Sequence, residues 1–217
     1  MEVFWGHLLH KEMAISASIP SQEFPGIAGY MLTEQLYLGG RTAVYRAVQT
    51  ATQQSVVIKV LREDYPSFDE LVQFRNQYAI AKNLPIPGIV RPLGLEAWGS
   101  GYALVMEDWG GMALSAYLKQ QSLTLVDVLA IALQLSEILH DLGQNRVKHK
   151  DIKPANILIR PESNQVKLID FSIASLLPKE TQEIQSANTL EGTLAYLAPE
   201  QTGRMNRGID YRTDFYS

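Results

Sequence analysis

The stretch His149-Lys150-Asp151-Ile152-Lys153-Pro154-Ala155-Asn156 brings an acid, a base and an amide together within eight residues. Asp151 can accept a proton, Lys153 carries a positive charge, and Asn156 offers both a donor and an acceptor. Pro154 stiffens the backbone between them. Catalytic side chains need backbone that holds them in place, so the spacing indicates an active-site loop. The structural alternative is a polar loop before the apolar strand Ile157-Leu158-Ile159.

A second acidic residue, Asp170, lies fourteen residues after Asn156 in the sequence. It follows the apolar run Val166-Lys167-Leu168-Ile169, and the residues Pro161-Glu162-Ser163-Asn164 predict a turn before that run. The pattern therefore predicts a hairpin that ends at Asp170.

The elements that must position these residues begin with three predicted strands. Tyr30 to Leu38 and Ala43 to Val48 are joined by Gly39-Gly40-Arg41-Thr42, and Val56 to Leu61 follows. Lys59 interrupts the third run, which is otherwise apolar and largely β-branched. A lysine in such a strand either finds a partner or costs free energy, although an edge-strand lysine that reaches solvent is the alternative. Tyr102 to Glu107 predicts a further strand, which Gly110-Gly111 ends.

Two helices are predicted around these strands. Ser67-Phe68-Asp69-Glu70 is typical of a capping box, and Pro85-Ile86-Pro87 ends the helix that it opens. A later helix is predicted from apolar residues at helical spacing, and we expect this stripe to lie in the core. Its members are Leu125, Val128, Leu129, Ala132, Leu135 and Leu139.

Composition excludes several classes of protein. The 217 residues are 46% hydrophobic and 19% charged, which is ordinary for a globular chain. The net charge of −4 and the absence of a basic run do not favour nucleic acid. There is no cysteine, and hence no disulfide or cysteine metal site. No apolar run is long enough to span a membrane, and no signal peptide begins the chain, so we expect a cytoplasmic protein.

The loop from His149 to Asn156 resembles the catalytic loop of eukaryotic-type serine/threonine protein kinases, H-R-D-L-K-P-x-N. Asp170-Phe171-Ser172 is similar to the family's D-F-G, and Gly192 to Glu200 is similar to G-T-x-x-Y-x-A-P-E. The resemblance implies an α+β, bilobal fold with an antiparallel β small lobe and an incomplete, mainly helical large lobe. It divides the chain into a poorly ordered leader (1–29), a small lobe with the hinge (30–109) and a partial large lobe (110–217).

The resemblance also implies the reaction, which is ATP-dependent phosphorylation of protein Ser/Thr hydroxyls. Asp151 would orient the substrate hydroxyl, Lys153 would neutralise the γ-phosphate, and Thr193 would bond both residues. Asn156 and Asp170 would hold Mg²⁺, a cation that prefers oxygen ligands. The residues expected to bind ATP are Gly39, Val44, Val57, Lys59, Gln77, Met106, Glu107, Trp109 and Leu158.

The chain departs from the family pattern at several of these positions. Tyr37 and Thr42 stand where the Gly-rich motif has glycines, which leaves Gly39 as the glycine at the middle position. Gln77 stands where a helix glutamate pairs with the strand lysine. We expect Gln77 to accept a weaker, neutral hydrogen bond from Lys59, while Glu70 serves the helix cap. Ser172 and Lys150 replace the usual glycine and arginine.

The sequence leaves open whether the chain is an active kinase or a pseudokinase. Gln77 and the depleted glycine motif favour a pseudokinase that binds nucleotide or docks other proteins without transfer. The large lobe is expected to be incomplete. Apolar surface of Leu129, Leu133 and Leu197 should therefore meet water, and Glu200 should lack its usual arginine partner. We expect the chain alone to be inactive for the same reason. The C-terminal part of the sequence is similar to that of cyanobacterial hybrid proteins, which combine kinase, ATPase and sensor histidine kinase modules. Ser186 and Thr189 are candidate phosphosites.

Overall fold

The computed structural model describes residues 26–176, 193–202 and 209–217. Most of the predicted leader and the candidate phosphosites Ser186 and Thr189 lie outside these ranges. The small lobe consists of six elements, in chain order β1 (Tyr30–Leu38), β2 (Thr42–Gln49), β3 (Ser55–Leu61), α1 (Phe68–Lys82), β4 (Pro92–Trp98) and β5 (Gly101–Glu107). The strands form one antiparallel sheet in the order β1-β2-β3-β5-β4.

Strand alternation separates the two faces of this sheet. One face buries a cluster that includes Ala43, Tyr45, Ile58 and Val60, as expected where side chains alternate along each strand. Ile27 joins the same cluster and is only 6% exposed. Ile27 falls within the predicted leader, and it packs against the small-lobe sheet.

Helix α1 begins as the capping box predicted. The Ser67 hydroxyl accepts from the Glu70 amide, and the Glu70 carboxylate accepts from the Ser67 amide at 2.9 Å. Strand β4 was missed in the sequence, because Gly94 and Glu96 break its apolar pattern and its pairing to β5 shifts register between Pro92 and Gly94.

The large lobe contains the remaining described elements, in chain order β6 (Met112–Ala113), α2 (Leu114–Gln120), α3 (Leu125–Gln144), β7 (Val147–Lys148), β8 (Ile157–Arg160), β9 (Gln165–Leu168) and β10 (Ser175–Leu176). Strands β8 and β9 form the predicted hairpin, with β6 beside β8. A short 3₁₀ helix at Pro154–Asn156 lies between β7 and β8, and three more follow β10 at Leu194–Tyr196, Pro199–Thr202 and Tyr211–Phe215. The architecture is the predicted bilobal α+β fold, and the residue boundaries of the lobes stay predictions.

The prediction that the α3 stripe lies in the core is wrong for its first half. Leu125 is 74% exposed and Leu129 is 60% exposed, whereas Leu139 is buried. The other residues that α3 buries lie on a neighbouring face, and these are Ile131, Ile138 and Leu142. Periodicity shows which side chains share a face, and only contacts with other elements decide which face is covered.

The residues expected to expose apolar surface behave in two ways. Leu129 and Leu133 are 60% and 63% exposed, as predicted. Leu197 is only 9% exposed, so the expectation is wrong there. Glu200 has a partner within the described residues, because the Thr213 hydroxyl donates to its carboxylate at 2.7 Å. None of the described helices is both long and apolar enough to cross a membrane.

Candidate active site

The Asp151 carboxylate is the centre of the catalytic loop. Lys153 Nζ donates to Oδ2 at 2.6 Å, and Asn156 Nδ2 donates to the same oxygen at 2.8 Å. The Thr193 hydroxyl donates to Oδ1 at 3.0 Å and accepts from Lys153 Nζ at 2.7 Å. The structure thus brings Asp151, Lys153, Asn156 and Thr193 together, as the sequence predicted. Three donors fix the direction of one carboxylate, which suits a group that must orient a hydroxyl.

Asp214 holds the backbone of this loop. Its carboxylate accepts from the amides of His149 and Lys150, each at 2.7 Å. Lys150 adopts φ of 68°, a left-handed conformation that is uncommon for a residue with a side chain. Gln201 Nε2 also donates to the Lys150 carbonyl at 2.9 Å. These bonds keep the strained residue in place.

His149 is fully buried beneath the loop. Its Nε2 lies 3.0 Å from the Ile169 carbonyl, and the Asp151 amide donates to Nδ1 at 3.3 Å. A neutral ring with its proton on Nε2 satisfies both contacts. Burial lowers the pKa of His149 and outweighs the opposing charges of Asp214, Asp170 and Asp151. The ring also meets the edge of Phe171, with centroids 4.8 Å apart.

Lys59 forms the opposite wall of the cleft. Its Nζ donates to Gln77 Oε1 at 3.2 Å and to Asp170 Oδ1 at 2.9 Å. Both Lys59 and Gln77 are buried. The predicted Lys59–Gln77 hydrogen bond is therefore present, and the stronger partner of the lysine is the Asp170 carboxylate. Burial by itself raises the pKa of Asp170, but the charge and hydrogen bond of Lys59 and a hydrogen bond from the Ser172 side chain more than offset that, and the net pKa is lowered.

Asp170 and Asn156 are brought side by side by the backbone. The Ile169 amide donates to the Asn156 carbonyl at 2.9 Å, and Asp170 itself adopts φ of 69°. Asn156 Nδ2 is engaged with Asp151, and within the described residues no donor reaches its Oδ1. A carboxylate and an amide oxygen at adjacent positions fit a hard divalent cation that also takes phosphate oxygens and water. The described residues contain no cluster of three or more His, Cys, Asp or Glu that could hold a metal on its own.

The predicted adenine-contacting residues share one face of the small-lobe sheet. Val44 pairs with Lys59, and Val57 pairs with Met106, so alternation places all four side chains on the same side. Val44, Val57 and Met106 are partly exposed, while both strand neighbours of Val44 and Val57 are buried. Leu158, on β8 in the large lobe, is also partly exposed. These apolar side chains could border a planar aromatic ring.

The turn between β1 and β2 contains Gly39. Its amide donates to the Thr42 carbonyl at 2.9 Å, and its carbonyl accepts from Arg62 Nη1 at 2.6 Å. A methyl group placed on Gly39 would lie 2.5 Å from the Tyr37 hydroxyl oxygen. The Tyr37 ring thus fills the space beside Gly39, and only glycine fits without moving that ring.

The predicted hinge residues Glu107 and Trp109 are tied to the large-lobe hairpin by their side chains. Lys167 Nζ donates to Glu107 Oε1 at 2.5 Å, and Arg160 lies over the Trp109 ring at 4.4 Å. The Arg160 guanidinium also donates to the Trp109 carbonyl, with Nε at 3.0 Å. The sequence predicts Glu107 and Trp109 as ATP-binding residues but gives no sign of these side-chain contacts, because the partners lie more than fifty positions away along the chain.

Three further residues near the site were not singled out in the sequence. Asn76 donates to the Ala174 carbonyl at 2.9 Å, Arg62 bonds Gly39, and buried Lys148 donates to the Ile209 carbonyl at 2.9 Å. Burial, followed by the charge of Lys150, lowers the pKa of Lys148. No local pattern identifies these three residues, because their partners lie 98, 23 and 61 positions away along the chain.

Comparison with known proteins agrees with this geometry. The family described as the protein kinase domain matches residues 30–217. The chain is 35% identical over 174 residues to the serine/threonine-protein kinase PrkC of Bacillus subtilis, covering 79% of this chain and 26% of that protein. It is 32% identical over 197 residues to PknB of Mycobacterium tuberculosis, covering 87% of this chain and 30% of that protein.

A probable serine/threonine-protein kinase of Clostridium acetobutylicum is 30% identical over 190 residues, which cover 87% of this chain and 28% of that protein. The chain therefore spans less than a third of the length of these relatives. The match to the family covers nearly all of the chain and includes the catalytic loop, the lysine strand and the Asp170 segment. The chain belongs to the protein kinase domain family.

Proposed function

We propose that this chain is the catalytic domain of a serine/threonine protein kinase, which transfers the γ-phosphoryl group of ATP to protein hydroxyls. The observation that carries the proposal is the Asp151 carboxylate, fixed by Lys153, Asn156 and Thr193. Phosphoryl transfer requires mainly positioning and charge stabilisation rather than covalent help from the protein. The cleft offers both, since fixed oxygens and two lysines line its two walls.

Each residue has a role that follows from its contacts. Asp151 orients the substrate hydroxyl and accepts its proton, and Lys153 stabilises charge on the transferring group. Thr193 holds both side chains at their working angle. Lys59 binds phosphate oxygens while it stays paired with Asp170. Asn156 and Asp170 hold Mg²⁺, which when bound supplies charge neutralisation to the phosphates.

ATP would lie between the two lobes in this proposal. Its adenine would contact Val44, Val57, Met106 and Leu158, and its edge would bond backbone groups from Glu107 to Trp109. The Gly39 turn would cover the phosphates, where backbone N–H groups can approach an anion. The turn is held by Arg62 and Thr42, which supports a defined shape despite the missing glycines.

The wider setting of the domain is also proposed. The much greater length of the relatives supports a larger signalling protein. The C-terminal part of the sequence resembles cyanobacterial hybrid kinases, and this resemblance favours further ATPase and sensor modules in the same protein. We place the kinase domain in the cytoplasm, where ATP and protein substrates are available.

A transfer assay tests the proposal. The full-length protein is incubated with γ-labelled ATP, Mg²⁺ and casein, and the labelled amino acids are identified. We expect label on serine and threonine, with loss of transfer when the metal is chelated. Tight binding of Mg-ATP without any transfer to casein or to the protein itself would instead support the nucleotide-binding pseudokinase alternative.

A further inference from the structure

Asn76 precedes Gln77 in helix α1 but its side chain serves a different contact. Consecutive helix residues do not face the same way. Gln77 accepts from Lys59 inside the cleft, whereas Asn76 Nδ2 donates to the Ala174 carbonyl at 2.9 Å. These two residues are 98 positions apart in the chain. The bond therefore joins the small-lobe helix to the segment that follows Asp170.

The acceptor belongs to a compact turn that contains Asp170. The Ser172 amide donates to Asp170 Oδ1 at 3.4 Å, and the Ala174 amide donates to the Phe171 carbonyl at 3.2 Å. Phe171 and Ala174 are 1% and 2% exposed. Because the turn is buried and internally bonded, a restraint at Ala174 is also a restraint on Asp170.

The neighbouring contact of α1 is weaker than an ion pair. Lys59 lies closer to the Asp170 carboxylate, at 2.9 Å, than to the neutral Gln77 oxygen, at 3.2 Å. A bond to a neutral acceptor is roughly half as strong as one to a carboxylate. Helix α1 thus needs a second tie to the cleft if Lys59 and Asp170 are to keep their geometry.

We propose that Asn76 is this second tie, a positioning residue whose bond to Ala174 supplies restraint that a carboxylate at position 77 would provide. It holds α1 against the Asp170 turn and so keeps Lys59 and Asp170 in place for Mg-ATP. This inference rests on the proposed kinase function for its kinetic readout, and on the contacts alone for its structural readout.

A double-mutant cycle in the full-length protein tests the inference. The variants are Asn76→Ala, Gln77→Glu and both together, with Asn76→Asp as a variant of equal size that cannot donate. Asn145→Ala is the matched control, because Asn145 Nδ2 donates to the Asp141 carbonyl at the same 2.9 Å, at the C-terminal end of α3 and not between the lobes. The measurements are kcat, KM for ATP, and hydrogen exchange of residues 68–82 without nucleotide.

We expect Asn76→Ala and Asn76→Asp to raise KM for ATP about fivefold, the size of effect that follows from loss of one neutral hydrogen bond. Exchange in α1 should accelerate by a similar factor. In the Gln77→Glu background, Asn76→Ala should change KM for ATP and the exchange rate of α1 by less than about twofold, because an ion pair then holds the helix. Asn145→Ala should leave both unchanged.

An effect of Asn76→Ala that is as large with glutamate at position 77 as with glutamine would overturn the inference. So would unchanged exchange in α1. If the unaltered protein transfers no phosphate, the proposed function fails. The exchange measurements then still decide whether Asn76 positions the helix.

Discussion

The two walls of the cleft hold their charged groups in different ways. On the large-lobe wall, Asp151 receives bonds from three side chains, one of which is a cation at 2.6 Å. On the small-lobe wall, Lys59 divides its bonds between Asp170 and the neutral Gln77. Two of the three partners of Asp151, Lys153 and Asn156, belong to its own loop, whereas both partners of Lys59 lie on other elements.

This difference indicates at which positions the chain departs from the kinase sequence pattern. Residues that we propose face the reacting groups directly, such as Asp151 and Asp170, match the pattern. Departures fall at Gln77, which accepts from Lys59, and in the Gly39 turn, which we propose covers the phosphates. Neutral and backbone contacts replace the missing features, as in the Arg62 bond to the Gly39 carbonyl at 2.6 Å.

The largest effect is expected from removing charge on the large-lobe wall. Asp151→Asn in the full-length protein should lower phosphate transfer about 10²- to 10⁴-fold, because an amide cannot take the hydroxyl proton. ATP binding, measured by calorimetry, should persist because Asp151 does not face the adenine wall. Asp64→Asn, on an exposed side chain, is the control and should be silent. Transfer at a near-normal rate in Asp151→Asn would refute its role.

An intermediate effect is expected on the small-lobe wall. Gln77→Leu removes the acceptor of a bond from buried Lys59, and kcat/KM for ATP should fall about tenfold. Gln77→Glu should hold or raise activity, since a carboxylate pairs better with the lysine. Steady-state kinetics of the two variants distinguish these outcomes. Unchanged kinetics in Gln77→Leu would mean that the Lys59–Gln77 bond is irrelevant to catalysis.

A smaller effect is expected in the turn between β1 and β2, which we propose covers the phosphates. Gly39→Ala should raise KM for ATP a few-fold, because the new methyl group displaces the Tyr37 ring. Gly40→Ala is the matched control, since a methyl group there meets nothing within 4 Å. Nucleotide titrations of both variants provide the measurement. Equal KM values for Gly39→Ala and Gly40→Ala would show that the Tyr37 contact does not shape the turn.

The smallest effect concerns stability beneath the catalytic loop. An unfolded histidine titrates at its ordinary pKa of 6.5, and burial lowers the pKa of folded His149 below that value. Below pH 6.5 the unfolded state therefore binds more protons, and stability falls as pH falls. Above that pH the residue contributes no pH dependence. The slope for one group cannot exceed about 1.4 kcal/mol per pH unit.

Thermal midpoints of the kinase domain, measured from about pH 7.5 down to about pH 5.5, test this dependence of stability on pH. His149→Phe should flatten it even if the variant is less stable throughout. His140→Gln, on an exposed side chain, should retain the unaltered slope. Parallel curves for His149→Phe and the unaltered protein would assign the pH dependence to other groups.

Much of the fold followed from local patterns. The strand over Tyr30–Leu38, the capping box at Ser67 and the β8–β9 hairpin were all predicted before the structure. They were predictable because strand alternation, cap chemistry and turn residues act over a few neighbouring positions. The kinase motifs then identified Asp151, Lys59 and Asp170 as one site, and the structure brings them to the two walls of one cleft.

By itself, the sequence determined the chemistry of the site and the type of most elements around it. Only the tertiary structure decided which face of α3 is covered, that Leu197 is buried, and that Asn76 reaches Ala174. It also decided that Arg160 and Lys167 surround Trp109. Each of these facts depends on residues far apart in the chain, and their meeting is set by the packing of whole elements rather than by any local preference.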